Sequence, residues 1–585
     1  MKEKIIRHLK EAGRPLLARD IRRDLRLSGR DHGLFTGMMK QLAREGKIRR
    51  IEGNWYAHPD WAMAAMADDD PVMEVTLIVR EAGLPESFPD AVEEEAREVA
   101  RDGRREAGSD RLDLHDRVVF TIDPDEAKDF DDAVSIETHD DGWTLGVHIA
   151  DVSHYVVPDS RLDAEAYARG TSVYLVDRVL PMLPEQLSND LCSLRPDEDR
   201  LTVSCFIRLD SAGRPQDIEL NESVIRSRAR LTYTEAQRGL DGKGGLAPEI
   251  ESDLLEMGRL ARILIKNREQ RGALDLDLPE PRVTLDKDGH VTGIQPYPRH
   301  LSHRLIEEFM ILANEAVATW GVNLGLPFIF RVHGEPDRER LEDFRQFLKA
   351  LSLPQPKGSR MTPEVLNDTL HKVRGTAVEP LVSRMLLRHM KQAEYGIDNI
   401  GHFGLASRAY THFTSPIRRY PDLIVHRLLK RYSKVAPVGS ELEDLEGWLI
   451  DAAEHAGERE RIAMEAERDS IRLKQVAFLE SMVGDTFDGL VTAVMEFGLF
   501  VELNGFFVDG LIHISELDDD YYRFEPDRFR LKGERHGRHY RLGDQLKVQL
   551  VRADRVTRHV DLVPFVEEKE GSNAPPKRVT ERDGS

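Results

Sequence analysis

The amino-acid sequence predicts a multidomain α+β protein, and three features predict it. A basic N-terminal segment carries three stretches of helical apolar spacing followed by a wing-like stretch. Strand-like residues in the interior are interrupted by a loop crowded with carboxylates, and from Gly484 to Val566 the chain breaks into short strands and turns. At 585 residues it is long enough for about three or four domains, each with its own core.

Residues 1–60 form the first predicted domain. Ile5, Ile6 and Leu9 sit at helical spacing, Leu16 to Leu27 is a second apolar-periodic segment, and Phe35, Met38, Met39 and Leu42 make a third. Ile48, Ile51 and Trp55 suit a wing, so the expectation is a winged helix. Charge singles out the same stretch. The whole chain has a formal net charge of −22, yet residues 1–50 carry 15 Lys+Arg against 6 Asp+Glu, a net of +9 that leaves −31 for the rest. Lys and Arg neutralise phosphates and release counterions, so Lys40 and Arg44 on the third helix are candidate nucleic-acid contacts. A solvated basic face or a protein contact accounts for the same charge. Residues 61–113 read as an acidic helical connector, with Glu93, Glu94, Glu95 and Glu98 and with Pro71, Pro85 and Pro89 as punctuation.

A catalytic domain is expected over 114–482. Val118, Val119, Phe120 and Ile122 read as a buried strand and Ala133, Val134 and Ile136 as the next. Between them, T-I-D-P-D-E-A-K-D-F-D-D brings together Asp123, Asp129, Asp131 and Asp132, which repel one another unless a cation joins them. Hard Mg²⁺ takes a few carboxylate oxygens plus water and phosphate, and two ions roughly 3.5–4 Å apart stabilise the attacking and leaving oxygens of a phosphoryl displacement. A calcium loop of the EF-hand type counted from Asp123 fails, because it needs Gly and Glu where Lys128 and Val134 stand. A solvated acidic turn is the plain alternative.

Further along stand His402-Phe403-Gly404-Leu405 and, from Tyr410 to His426, Y-T-H-F-T-S-P-I-R-R-Y-P-D-L-I-V-H. This segment resembles the signature of the RNB exoribonucleases, and the acidic loop resembles their catalytic aspartate motif. G-V-H-I-A-D-V-S-H over 146–154, Val173-Tyr174-Leu175, P-M-L-P-E-Q-L-S-N-D-L-C-S-L-R-P and Ile306 to Asn314 are also similar to the family, in its order, so the resemblance spans roughly 70 to 565. It implies that Asp123, Asp129 and Asp132 are metal ligands and that Asp131 serves the chemical step. It implies that Arg418 clamps the scissile phosphate, a task suited to a guanidinium fork, with Arg419 either structural or a second backbone contact. Tyr174 matches the position that packs on the terminal nucleotide, although a Tyr between Val173 and Leu175 otherwise reads as strand core. Glu467, in A-E-R-D, matches a position near the RNA 3′ end. The implied cofactor is Mg²⁺, with Mn²⁺ as a substitute. His148, Asp151 and His154 look ligand-like, but neither they nor the cysteines have the spacing of a zinc site. One departure stands out. Members of the family normally carry two cold-shock-type OB domains before the catalytic domain, and the interval from Trp61 to Arg117 is too short for one, so the family's entrance geometry does not carry over.

Leu442 to Ser481 has few breakers and reads as long helices closing the catalytic domain. Residues 483–566, with G-L-V-T-A-V-M-E-F-G-L-F-V-E-L and G-L-I-H-I-S-E-L, resemble an OB-fold β-barrel of the ribosomal-protein S-one type. Phe497, Phe500 and His513 match its base-stacking surface, although alternate strand residues must also fill a barrel. Arg523, Arg528, Arg530, Lys532, Arg535 and Arg538 can attract the RNA backbone. Residues 567–585 are polar and read as a disordered tail.

Two cysteines are too few for a disulfide framework, and no window approaches a membrane span, so a cytoplasmic protein is expected. The resemblance implies a hydrolytic 3′→5′ exoribonuclease that degrades single-stranded RNA, and RNA with 3′ overhangs, to nucleoside 5′-monophosphates. Two alternatives remain open at this point: a winged-helix RNA-binding or regulatory protein with a vestigial nuclease core, and a metal-dependent endoribonuclease.

Overall fold

The computed structural model describes residues 2–12, 16–25, 32–44, 47–50, 55–58, 70–103, 110–276, 278–325, 327–356, 362–376, 378–433 and 439–565. The chain forms two compact units that divide between Lys474 and Gln475.

In the first unit, helices Lys2–Ala12, Ala18–Asp24 and His32–Arg44 close on Ile5, Leu9, Ile21, Phe35, Met39 and Leu42. Beside them Trp55–Ala57 pairs antiparallel with Leu16–Leu17 on one side and Arg49–Arg50 on the other. Leu16 and Leu17 therefore depart from the helical expectation. They are extended, Leu16 pairing with Tyr56 while its side chain joins the small core, and the helix starts only at Ala18. Leu27 and Ile51 lie outside the described residues. Lys40 is exposed on the third helix; Arg44 ends that helix, and its side chain lies outside the description.

The acidic segment is more than a connector. Asp70 caps helix Pro71–Glu81 by accepting from the N–H groups of Val72 (2.9 Å) and Met73 (3.2 Å), with Pro71 in the first turn, where its missing N–H costs nothing. Val75, Ile78 and Val79 of this helix pack with Val173, Leu175 and Leu180 and with Ala463, Ala466 and Leu473. Helix Asp90–Gly103 sends Val92 and Ala96 into the main core while Glu94 and Glu98 face solvent. Helical spacing lets one stretch be acidic outside and apolar inside.

The main core surrounds a seven-stranded mixed sheet. Its order is Ala229–Thr232, Phe120–Asp123, Asp132–His139, Gly142–Ala150, Asp199–Asp210, Pro215–Arg226 and Leu112–Asp113, with parallel pairs at the two edges and antiparallel pairs between. Phe120, Val134, Val147, Ile149, Phe309, Phe328 and Phe413 fill one continuous core against it. The expected trailing helices are one helix, Ser440–Glu480, of 41 residues. Leu449, Ala452, Ala453, Ala456, Ala463, Ala466 and Leu473 form its buried stripe; the segment contains no Pro, and its two glycines, Gly447 and Gly457, stay within the one helix.

The second unit is a closed barrel of Thr486–Met495, Gly498–Leu503, Val508–His513, His559–Pro564 and Gln545–Asp554, the five-stranded closure expected of an OB fold. Leu499, Val501 and Leu503 point inward at alternate positions. A three-stranded sheet of Tyr522–Glu525, Arg530–Gly533 and His539–Arg541 is inserted between the third and fourth barrel strands in sequence. The predicted tail, 567–585, lies outside the described residues. Among those residues no helix is long and apolar enough to cross a membrane.

Candidate active site

Two sheet strands carry the ends of the acidic loop: Asp123 is the last residue of Phe120–Asp123, and Asp132 is the first of Asp132–His139. The segment between is pinned from behind by Ser193, which is fully buried. Its hydroxyl donates to the Lys128 carbonyl (2.7 Å) and accepts from the Phe130 N–H (3.1 Å), while the Leu194 N–H reaches the Phe130 carbonyl (3.0 Å). Arg230 donates to the carbonyls of Pro124 and Asp125.

The Tyr410–His426 segment meets this loop through a buried bond, the Ile417 N–H donating to Asp131 Oδ1 at 2.8 Å. Local chemistry explains its shape. Fully buried Asp422 accepts from the Ser415 N–H (2.7 Å) and from Arg419 through Nε (2.9 Å) and Nη2 (2.7 Å). Asn314 accepts from the Phe413 N–H (2.9 Å) and donates to the Tyr410 hydroxyl (3.1 Å). The turn so held presents Arg418, whose Nε lies 3.6 Å from Asp131 Oδ2 and whose Nη2 donates to Ser415 Oγ at 3.1 Å. The neighbouring arginines are thus in different situations. Arg418 is 44 % exposed, whereas the fork of Arg419 is engaged by Asp422.

Tyr174 and Glu467 join the same site. Gly170, at φ +69, ends helix Arg161–Arg169 in a left-handed turn, and its carbonyl accepts from the Tyr420 N–H at 3.0 Å. Two residues on, the Ser172 N–H donates to the Arg418 carbonyl at 2.9 Å. The chain then enters strand Val173–Tyr174, where Val173 takes the core position and Tyr174, 36 % exposed, does not. This corrects the strand-core reading of Tyr174. Its hydroxyl donates to Asp129 Oδ2 (2.9 Å), and its N–H donates to Glu467 Oε1 (2.7 Å) on the long helix.

Burial dominates the electrostatics. It pushes the Asp123 carboxyl up to about 8, with Asp132 and Asp129 adding repulsion and Arg230 opposing. It holds Asp131 well above the ordinary carboxylate range against the pull of Arg418, and raises Asp132 to about 6 against Arg418 and Arg419. Asp123 Oδ2 and Asp131 Oδ2 are buried without a hydrogen-bond donor. Hard, underserved oxygens of this kind fit a divalent cation. Among the described residues no three His, Cys, Asp or Glu groups already close on one ion position, and a hard cation that keeps water and takes phosphate oxygens does not require them to.

Sequence reasoning missed Ser193, Arg230 and the Ile417 N–H. Ser193 stood inside a family-like stretch without a role, Arg230 had no local signal, and a backbone donor has no residue type to read. The ligand-like residues have local partners: His148 lies buried between Ser135 (2.9 Å) and Ser204 (2.6 Å), its pKa lowered by burial to about 3, Asp151 is paired with Lys430 and Arg111, each at 2.6 Å, and the His154 ring stands 3.5 Å from Arg111 and edge-on to Tyr155. In the second unit Phe497 is 47 % exposed and sets its ring edge-on to Phe500 at 6.1 Å, and His513, opposite Gly498 in the ladder, is also exposed. Phe500 itself is half-buried, and the barrel interior is filled by Leu499, Val501 and Leu503.

The RNB domain matches residues 111–434, and the S1 RNA binding domain matches residues 480–563. The chain belongs to the RNB family. Ribonuclease R of Thermotoga maritima is 44% identical over 510 residues, 86% of this chain and 72% of that protein. Mycoplasma genitalium RNase R in complex with ribose methylated single-stranded RNA superposes with a TM-score of 0.81 at 31% identity, covering 85% of this chain and 78% of that one. Its complex with double-stranded RNA gives a TM-score of 0.76 at 29% identity, covering 85% and 84%. This RNB protein is a hydrolytic 3′→5′ exoribonuclease.

Proposed function

We propose that this RNB exoribonuclease degrades single-stranded RNA, and RNA with a 3′ overhang, to nucleoside 5′-monophosphates in the cytoplasm. Asp123, Asp129 and Asp132 hold Mg²⁺, with Mn²⁺ as a substitute. The observation that carries the reading is the joint between Ile417 and Asp131, which sets Arg418 over the acidic loop. Bound metal supplies positive charge at the phosphate and a more acidic water. Arg418 grips the scissile phosphate with a fork matched to two oxygens. Asp131, the carboxylate beside it, serves the chemical step. Tyr174 stacks on the terminal base and orients Asp129 through its hydroxyl, and Glu467 sets the Tyr174 backbone. Phe497, Phe500 and His513 give unpaired bases a second stacking surface. The N-terminal helices and ribbon act as a winged helix whose Lys40 and Arg44 meet phosphates. Two buried free thiols, Cys192 and Cys205, support a reducing compartment.

Digestion of a 5′-labelled linear RNA beside a circular one, with and without Mg²⁺, tests this. Linear RNA should yield mononucleotides bearing a 5′-phosphate, dependent on the metal, while the circle stays intact. A cut circle or 3′-phosphorylated products would overturn it.

A further inference from the structure

A band of cations crosses the three-stranded sheet inserted in the second unit. Arg523 stands directly opposite Lys532, and Lys532 opposite His539; in the next row Glu525 faces Arg530 and Arg530 faces Arg541. Side chains alternate in a strand, so the other face carries Tyr522, Phe524, Leu531 and Tyr540, of which Tyr522, Leu531 and Tyr540 are buried. That face joins the sheet to its unit. At its exit the Gly543 N–H donates to the Val491 carbonyl, and the Val491 N–H to the Asp544 carbonyl, both at 2.9 Å.

The outer face has no such structural reason. Like charges directly opposite in an antiparallel ladder destabilise it, and here Arg523, Lys532 and Arg541 are all exposed. Glu525, the acid among the described residues of that face, is taken by Arg530 at 2.6 Å. Arg528 and Arg535, exposed beside the strands, add to the field. Chemistry identifies what such a face takes. Its described strand residues include no Phe, Tyr or Trp, and its one ring, the half-buried imidazole of His539, stands among cations, so charge and not stacking sets its chemistry; no apolar centre is present there such as a protein interface normally buries. Strands lie about 4.8 Å apart, so the Arg523–Lys532–His539 row spans about 10 Å, and flexible arms on that scale meet two or three phosphates.

We infer that this face is a second RNA contact, one that holds the phosphodiester backbone without regard to base and is built from residues other than Phe497, Phe500 and His513. The inference rests on the proposed action on RNA. It gives the S1 domain two surfaces, one for bases and one for backbone.

The test uses the full chain. Affinity for ribose-methylated oligo(A) and oligo(U) is measured across salt for the parent, for Arg523→Glu/Lys532→Glu and for the milder Arg523→Gln/Lys532→Gln. Losing two phosphate contacts should flatten the slope of log affinity against log salt by about 1.4, equally for both sequences, while melting temperature and trinucleotide hydrolysis match the parent. A slope unchanged in both variants overturns the inference and leaves the face to an acidic protein. A loss confined to one base sequence overturns it as well. A parent that fails on the trinucleotide would instead count against the proposed function.

Discussion

The Tyr174 hydroxyl donates a 2.9 Å hydrogen bond to Asp129, tethering the ring proposed to carry the terminal base to a carboxylate proposed to hold metal. Tyr174→Ala removes both roles and Tyr174→Phe only the second. With Ala, a short RNA loses roughly 1–3 kcal/mol of stacking and should dissociate before the last cleavage, lengthening the smallest product on a gel. With Phe, the product ladder should stay that of the parent while hydrolysis at limiting Mg²⁺ slows. Equal ladders for Ala and parent would remove the platform role.

Glu467 holds the backbone of the same residue, accepting from the Tyr174 N–H. Glu467→Gln keeps an acceptor for the Tyr174 N–H and should keep the product length, whereas Glu467→Ala should lengthen it in the direction of Tyr174→Ala. If Gln and Ala behave alike in end-product assays, Glu467 is not positioning that backbone.

Asp131→Asn retains a carbonyl oxygen for the Ile417 N–H but loses the charge. Single-turnover hydrolysis should fall on the order of 100-fold or more, with RNA affinity within about threefold of the parent. Stability should not drop at neutral pH. Burial raises the folded-state pKa of Asp131, so its ionised form opposes folding above the unfolded pKa, and Asn removes that cost. A lower melting temperature with hydrolysis retained would make Asp131 structural.

Arg418→Lys should fold normally, since the Arg418 backbone carbonyl, not its side chain, accepts from the Ser172 N–H. Turnover should slow on the order of 100-fold because a point charge cannot match two phosphate oxygens at once. Near-parental turnover would return Arg418 to the surface.

Removing residues 1–60 should impair digestion of a duplex with a 3′ overhang more than digestion of an unstructured strand, most clearly at low salt, where phosphate contacts are strong. An unchanged ratio at every salt would assign this segment to a protein contact.

Local pattern and family-like motifs made the strand, acidic loop and strand around Asp123–Asp132 legible, along with the barrel and the Tyr410–His426 segment. What escaped was long-range. That Leu16 would be strand depended on Tyr56, and that the acidic stretch near Val75 would support Tyr174 depended on Ala463 and Leu473, far along the chain. Arg418 and Arg419 are indistinguishable as letters, and Asp422 separates them only in three dimensions. Ser193 was visible as part of a motif, but its task of holding the Lys128–Phe130 backbone was not.

The Ile417–Asp131 bond also sets a timetable for synthesis. Its partners are 286 residues apart, and at about 5–20 residues per second a ribosome needs roughly 15 to 60 s to travel from one to the other. A polypeptide able to destroy RNA should thus stay inactive beside its own message until residue 417, and then the helix that brings Glu467 to Tyr174, has been made. Ribosome-stalled chains ending near residue 400 should leave added RNA intact, while released full-length chains digest it; hydrolysis by the short chains would show that the acidic loop works without its distant partner.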